Sequence, residues 1–426
     1  MAAALGGLVL CAAQWRTPPG ATAETGHEKI AVKIFAASIS RLRGENLTAT
    51  SCSAPASCVS VGSYQNGDGI RVGLVLTERS AEWRADGALP SPMGSTTLTA
   101  QPYVPELAGV SCVSTVSCVA VANYPSPRAT GVLVPRPLVL IESHGRWRSV
   151  FAPSPAGAES ATETLRSISC SATSRCVVTG SLRRSTSGGS RAVEAPEAVL
   201  ISNSTGRWTA RFAPLPPDAD RSELGGGSAL AAVSCPESTA CTAIGTYTTS
   251  SDTQQGLLLE QSGANWKSST APLPRQGDGV TTLDGLSCTP SKDCVAVGAY
   301  SVAGVPFGFL LVGHVGRWVA FASPHAAVYN TPYGISCPSV SSCVIAGIFL
   351  DAQYAQHGVV LVGAPSSLVA TQTPPPKGAG ASPSPGFGET LSSVSCSGSF
   401  CQVVGTYVGS ASSESGIVLT ATLPSA

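Results

Sequence analysis

Charge is what this chain of 426 residues has least of: Asp, Glu, Lys and Arg make up 12% of it, and 25 basic residues balance 25 acidic ones. Without a basic field, the chain has no means of attracting nucleic acid or an anionic membrane, and without an acidic tail, charge names no partner at all. No apolar run approaches the ~18 residues of a membrane span. Aromatic residues are 6%, while Gly, Ser, Ala and Pro abound. A core of such small side chains needs many strands and covalent ties to hold it. Enzyme signatures are missing as well: there is no G-x-S-x-G elbow, no H-E-x-x-H, no phosphate-cradling G-x-x-x-x-G-K and no dinucleotide fingerprint between a strand and a helix. The histidines, His27, His144, His314, His325 and His357, are scattered. No catalytic residue, no metal and no cofactor is expected from this pattern.

Cysteine is present in quantity and in order. Fourteen of the 15 cysteines form seven pairs: Cys52 and Cys58, Cys112 and Cys118, Cys170 and Cys176, Cys235 and Cys241, Cys288 and Cys294, Cys337 and Cys343, and Cys396 and Cys401. The first six are spaced C-x5-C and the last C-x4-C. Zinc pairs sit closer together and no His accompanies these, so they read as disulfides formed in an oxidising, extracytoplasmic compartment. The pairs recur every ~50 to 65 residues, so the chain is one repeat body rather than several domains. Residues 1–13 are apolar and end in Cys11-Ala12-Ala13, which suits a signal peptide or a truncated leader, although no positive residue opens the stretch. Residues 14–426 are then the repeat body.

Each repeat reads as four strands. An inner strand ends in apolar-Ser-Cys, as in Val110-Ser111-Cys112, Leu286-Ser287-Cys288 and Ile335-Ser336-Cys337. A short turn follows, and a second strand leaves the next cysteine with valine alternating with small residues, as in Cys294-Val295-Ala296-Val297-Gly298. The third strand is apolar on both faces, as in Leu138-Val139-Leu140-Ile141, Phe309-Leu310-Leu311-Val312 and Val359-Val360-Leu361-Val362. A continuous apolar run means burial on both sides, as for a blade held between two others. An outer strand then opens on Trp83, Trp147, Trp208, Trp266 or Trp318, with Leu368 in the sixth repeat. The seventh repeat ends without a tryptophan, whereas Trp15 stands ahead of the first repeat. The expected architecture is an all-β, seven-bladed β-propeller of four-stranded antiparallel blades, one disulfide hairpin per blade, with the N-terminal strand near Trp15 completing the last blade and closing the ring.

The recurring Ser-Cys, the five-residue gap, Cys-Val-Ala-Val-Gly-x-Tyr, the Leu-Val-Leu run and Gly-Arg-Trp resemble the exported β-propeller repeat proteins of high-GC bacteria over nearly the whole chain. More loosely, turns such as Ser143-His144-Gly145-Arg146-Trp147 are similar to the Asp-box of sialidase-like propellers, but they lack its aspartate and have a shorter Gly-to-Trp gap. The first resemblance implies a fold and an exported location, and it brings no activity with it.

The blade geometry places the uniform disulfide and Gly-Arg-Trp turns on one side of the ring and the irregular loops, such as 124–137, 182–196 and 214–228, on the other. Ligands are expected on the irregular side. Six residues after the second cysteine stand Tyr64, Tyr124, Leu182, Tyr247, Tyr300, Phe349 and Tyr407 (the seventh pair being one residue shorter). They read either as an aromatic ring at the mouth, suited to sugar faces and protein hot spots, or as packing between blades at the end of the second strand. The charged candidates on that face are Arg183 and Arg184 with Arg128, Arg136, Arg191, Arg221, Arg275, Asp218, Asp220, Glu194, Glu197 and Asp278; arginines suit a carboxylate and paired carboxylates a glycosidic bond, while a solvated loop surface is the simpler reading of the whole set. Asn66-Gly67-Asp68-Gly69 and Gln276-Gly277-Asp278-Gly279 are tight turns first, with too few acids for calcium. The expectation is a monomeric, secreted or cell-surface, non-enzymatic binding or scaffold module that recognises a glycan or a protein. The alternatives are a sialidase-like enzyme acting on glycosides, which three arginines, a tyrosine and a carboxylate converging at the mouth would favour, and a purely structural envelope protein.

Overall fold

A computed structural model describes residues 33–35, 43–67, 69, 71–80, 82–85, 106–127, 133–158, 161–184, 195–222, 226–314, 316–323, 331–351, 353–373, 388–408 and 414–423. Every described strand belongs to an antiparallel unit of four. β1 (Lys33–Phe35) comes first in the chain and last in the fold. Blade 1 is β2 (Arg43–Ala54), β3 (Ser57–Gln65), β4 (Arg71–Arg79) and β5 (Glu82–Ala85). Blade 2 is β6 (Glu106–Ser114), β7 (Ser117–Pro127), β8 (Leu133–Ser143) and β9 (Arg146–Phe151). Blade 3 is β10 (Thr162–Ala172), β11 (Arg175–Arg183), β12 (Glu197–Ser204) and β13 (Arg207–Phe212). Blade 4 is β14 (Ser228–Glu237), β15 (Ala240–Thr248), β16 (Gln254–Ser262) and β17 (Asn265–Thr270). Blade 5 is β18 (Gly279–Cys288), β19 (Asp293–Val302), β20 (Val305–His314) and β21 (Arg317–Ala322). Blade 6 is β22 (Thr331–Ser339), β23 (Ser342–Leu350), β24 (Gln356–Gly363) and β25 (Val369–Gln372). Blade 7 is β26 (Gly388–Ser397), β27 (Phe400–Val408) and β28 (Glu414–Thr422), with β1 on the outer edge of β28.

The alternation of apolar residues dictates how the blades stack. Along the third strand of blade 1, Leu74 and Leu76 face a cluster with Val404 and Val418 of blade 7, while Val75 faces one with Cys118 and Ala120 of blade 2. Both faces are buried, as the unbroken apolar runs require. Each outer-strand tryptophan packs back on the preceding blade: Trp208 joins Val119, Val121 and Val139, and Leu368 does the same against Val295, Val297 and Leu310. This is a β-propeller-like fold with a channel along the inner strands.

All seven expected disulfides are present, each within its own hairpin: Cys52 bonds Cys58, Cys112 bonds Cys118, Cys170 bonds Cys176, Cys235 bonds Cys241, Cys288 bonds Cys294, Cys337 bonds Cys343 and Cys396 bonds Cys401. Their surroundings are those of structural cysteines. The second member of each pair, Cys58, Cys118, Cys176, Cys241, Cys294, Cys343 and Cys401, is at most 4% exposed. Cys176, Cys241, Cys343 and Cys401 each sit in an apolar cluster with residues of a neighbouring blade, because an oxidised sulfur packs as a small hydrophobe. The pairs staple the core and present no sulfur to a ligand.

The serine before the first cysteine of each repeat turns out to link blades rather than strands. Its hydroxyl accepts the N–H of the first cysteine in the next blade: Ser51 from Cys112, Ser111 from Cys170, Ser169 from Cys235, Ser234 from Cys288, Ser287 from Cys337 and Ser336 from Cys396, at 2.9–3.0 Å. The seventh bond joins the ends of the series, Cys52 N–H to Ser395 Oγ at 2.9 Å. At the same seam Gln402, fully buried, accepts from Thr50 and Ser60 and donates to Glu78. The corresponding positions in the other blades are Val59, Val119, Val177, Thr242, Val295 and Val344.

The strand found on the edge of β28 is Lys33–Phe35, with Ile34 opposite Leu419 and Phe35 opposite Val418. The segment around Trp15, expected there from the tryptophan count, lies outside the described residues.

Candidate functional site

One irregularity recurs in every blade. Four residues before its first cysteine, the inner strand carries one residue too many, a β-bulge between Leu47 and Ala49, Leu107 and Gly109, Leu165 and Ser167, Leu230 and Ala232, Leu283 and Gly285, Pro332 and Gly334, and Leu391 and Ser393. A bulge re-aims the extra side chain. The residue before each bulge is buried between blades, and the bulged residue itself faces the channel. Opposite the bulge, on the second strand, stand Gly62, Gly180, Gly245, Gly298, Gly347 and Gly405, the glycines that end the Val-x-Val-Gly pattern. A Cβ at Gly245 would lie 2.0 Å from the Ala229 carbonyl oxygen, and one at Gly298 2.2 Å from that of Thr282. The backbone approach excludes a Cβ in these six blades, and blade 2, with Ala122 at the position, is the exception.

The seven bulged residues are Thr48, Ala108, Arg166, Ala231, Asp284, Tyr333 and Ser392. Four are small. The other three, from blades 3, 5 and 6, put a guanidinium, a carboxyl and a phenol into one space. They line two adjoining cavities, of about 220 and 430 Å³, and no other residue lining either is titratable. The larger cavity is bounded by the starts of β14, β18 and β26 and by Gly245 and Thr246 near the end of β15. It therefore lies toward the side on which the irregular loops open.

Arg166 and Tyr333 make no hydrogen bond or ion pair with another described side chain, and Asp284 has only the neighbouring Thr282 hydroxyl beside its carboxyl. Asp284 Oδ2 is buried without a hydrogen-bond partner. Burial pushes the Asp284 carboxyl above the usual carboxylate range, while the Thr282 hydroxyl and the field of Arg166 pull the other way. Burial likewise raises the Tyr333 phenol, helped by the Asp284 charge. Arg166 is exposed to the channel and makes no ion pair there. By contrast Thr48 is committed to the fold, its hydroxyl donating to Leu107 O at 2.7 Å.

Of the two readings of the aromatic positions on the second strands, the burial favours packing between blades. Tyr247 is 1% exposed, and Tyr300 and Tyr407 are 7% exposed, each inside a cluster between blades. Tyr64, Tyr124 and Phe349 are half-buried against similar clusters. A buried ring offers no platform to a ligand, so Tyr247, Tyr300 and Tyr407 belong to the core, and Tyr64, Tyr124 and Phe349 lean on it. Tyr247 also donates to Asp218 at 3.0 Å, and Tyr124 meets Phe151 edge-on, beneath the Arg136 guanidinium. Arg183 and Arg184 are exposed, as expected, but Arg184 is held by Glu197 at 2.8 Å and lies over Phe212. Neither arginine reaches the channel cavities.

The other polar candidates serve local structure. Asp278 accepts from Ala303 N–H, Asp220 from Ser222 N–H, and His314 pairs with Asp293 at 2.8 Å in an exposed turn. Arg128, Arg191, Glu194 and Asp68 lie outside the described residues. Among the described residues, no group of His, Cys, Asp and Glu is arranged to hold a metal ion, and no helix is long and apolar enough to cross a membrane.

No protein-family pattern matches the chain, and no curated protein matches it in sequence. Its fold, however, is shared with solved structures. A PL25 ulvan lyase bound to -[GlcA(1-4)Rha3S]- superposes with a TM-score of 0.51 at 7% identity, covering 92% of this chain and 98% of that one. YCF48 from Cyanidioschyzon merolae gives 0.48 at 11% identity, over 92% and 98% of the two chains. The parainfluenza virus 5 hemagglutinin-neuraminidase ectodomain gives 0.43 at 10% identity, over 79% and 85%. At such identities the likeness to the lyase shows the fold alone.

Proposed function

We propose that this chain is a secreted or cell-surface propeller that binds a glycan at the loop-side mouth of its central channel, without chemistry of its own. The observation that carries the reading is the broken symmetry of the bulge ring. Seven positions are equivalent in backbone, and small residues satisfy four of them. The remaining three hold Arg166, Asp284 and Tyr333 around a common cavity, with polar atoms that the fold leaves unpaired. Burying the Asp284 oxygen unsatisfied is costly, and a polar ligand relieves that cost. The cavity volume suits a small ligand or the end of a chain. Seven disulfides support an oxidising location. The sialidase-like alternative would want three arginines on the substrate, and among the described residues a single arginine lines the channel cavities. In the same reading β1 fastens blade 7 from outside, closing the ring.

The test is a glycan array that includes cell-wall fragments, probed with the purified, oxidised protein, with every hit then incubated and assayed for new reducing or unsaturated ends. Binding without turnover is expected. A blank array sinks the glycan reading, and turnover of a bound glycan sinks the non-enzymatic one.

A further inference from the structure

The unpaired groups of the channel also narrow the class of ligand. Arg166 presents a planar fork of donors, free of any ion pair among the described residues, and this fork matches a carboxylate bidentately. Asp284, from the inner strand two blades on, holds an unsatisfied oxygen at the same cavity, and Tyr333, from the blade after that, lines the cavity near enough to feel the Asp284 charge. With one cation and one carboxyl, the site offers no excess positive charge for a phosphate dianion. Around the three groups stand the hydroxyls of Thr246, Thr281, Thr282, Thr390 and Ser392, while the two leucines beside them, Leu230 and Leu283, turn their side chains into the clusters between blades and offer little apolar surface to a lipid or an aliphatic peptide.

Resting on the glycan-binding reading above, we infer that the channel site takes a carboxylated sugar, a uronate at a chain end, with its carboxylate on Arg166 and its ring hydroxyls shared between Asp284 and Tyr333. Arg166 supplies the selectivity, because the neutral form of the same sugar leaves the guanidinium unpaired in the cavity. Asp284 and Tyr333 orient the ring. A free amino acid would also satisfy one guanidinium and one carboxyl, but it leaves the hydroxyl-lined remainder of the ~430 Å³ cavity empty.

Titration calorimetry at pH 7 decides, with tetragalacturonate, its fully methyl-esterified form, glucose 6-sulfate and glycine as probes. The free acid is expected to bind at least about tenfold more tightly than the ester, the worth of one charge-assisted pair. The Arg166→Ala variant should erase that preference, Arg166→Lys should keep part of it, and Asp284→Asn should weaken both probes while leaving the preference in place. Equal binding of acid and ester, or a preference that survives Arg166→Ala, overturns the carboxylate assignment and leaves the glycan reading standing. Tighter binding of the sulfated sugar or of glycine overturns it in favour of those ligands. Failure of every probe in a protein that still binds neutral glycans on the array also overturns it, whereas failure of all glycans removes the reading beneath it. The acid-to-ester comparison needs no variant, so a misfolded substitution does not shield the inference.

Discussion

At the scale of single residues, the carboxyls are the most informative groups. Glu163 is 1% exposed, and burial pushes its pKa up against the opposing pull of Ser154 and Arg136. Glu78, Asp284 and Glu389 are raised by burial too, with Gln402, Thr282 and Thr373 respectively pulling the other way. A raised carboxyl holds its proton in the folded state at a pH where the unfolded chain has released it. Stability is therefore largest below the ordinary carboxyl value and is lost as pH rises through the raised one. Melting temperature is expected to fall between pH 5 and pH 8, and Glu163→Gln should raise the pH 8 melt, by on the order of 1 kcal/mol, and flatten the slope. A pH-independent melt for the unsubstituted protein would remove this account. Individual site residues were the least legible part of the sequence. Tyr247 and Tyr300 stand out because they recur, yet recurrence is what core packing demands. Arg166, Asp284 and Tyr333 are hidden because a bulge shifts the inside-outside alternation by one residue, so parity counted back from the cysteine assigns them to the wrong face. The signal that would have found them is variation at one position between a recurrent leucine and the Ser-Cys ending.

At the scale of the element, the inner hairpin carries the design. A disulfide across so short a loop contributes only roughly 2 kcal/mol through chain entropy. What it fixes is the register that puts a bulge at the same height in every blade. Gly245→Ala would drive a Cβ to 2.0 Å from the Ala229 carbonyl oxygen, and a loss of about 1–3 kcal/mol is expected by chemical denaturation. Ser234→Ala leaves the Cys288 N–H without its partner across the blade boundary and should cost roughly 1 kcal/mol. If neither change moves the denaturation midpoint, the bulge and the serine ring are incidental. Hairpins, third strands and outer tryptophans were readable in advance, because each follows from a local period or from a cysteine spacing. The pairing of Cys241 with Cys235 is legible from spacing alone, whereas its burial between blades is a property of the stack. The bulge was not readable, since it follows from a glycine on the partner strand, and the serine bonds join residues such as Ser169 and Cys235, 66 apart, or Cys52 and Ser395, 343 apart.

At the scale of the molecule, the seam between blades 1 and 7 is pinned by Gln402 among Thr50, Ser60 and Glu78, together with the Arg71–Glu414 ion pair, whereas the seam between blades 2 and 3 uses the Asn123 amide on the Leu165 backbone. Removal of residues 1–35, which takes β1 from the edge of β28, is expected to lower the melting temperature by several degrees, and an unchanged melt would deny the strand any fastening role. The central claim is that three channel side chains exist for a ligand and not for the fold. It is tested most directly by replacing Arg166, Asp284 and Tyr333 together with alanine, the residue that Ala108 and Ala231 already supply at the same bulge, and recording melting temperature and glycan-array binding side by side. The account predicts an unchanged or higher melting temperature and the loss of binding. A variant that melts well below the parent protein while still binding its glycans would contradict it.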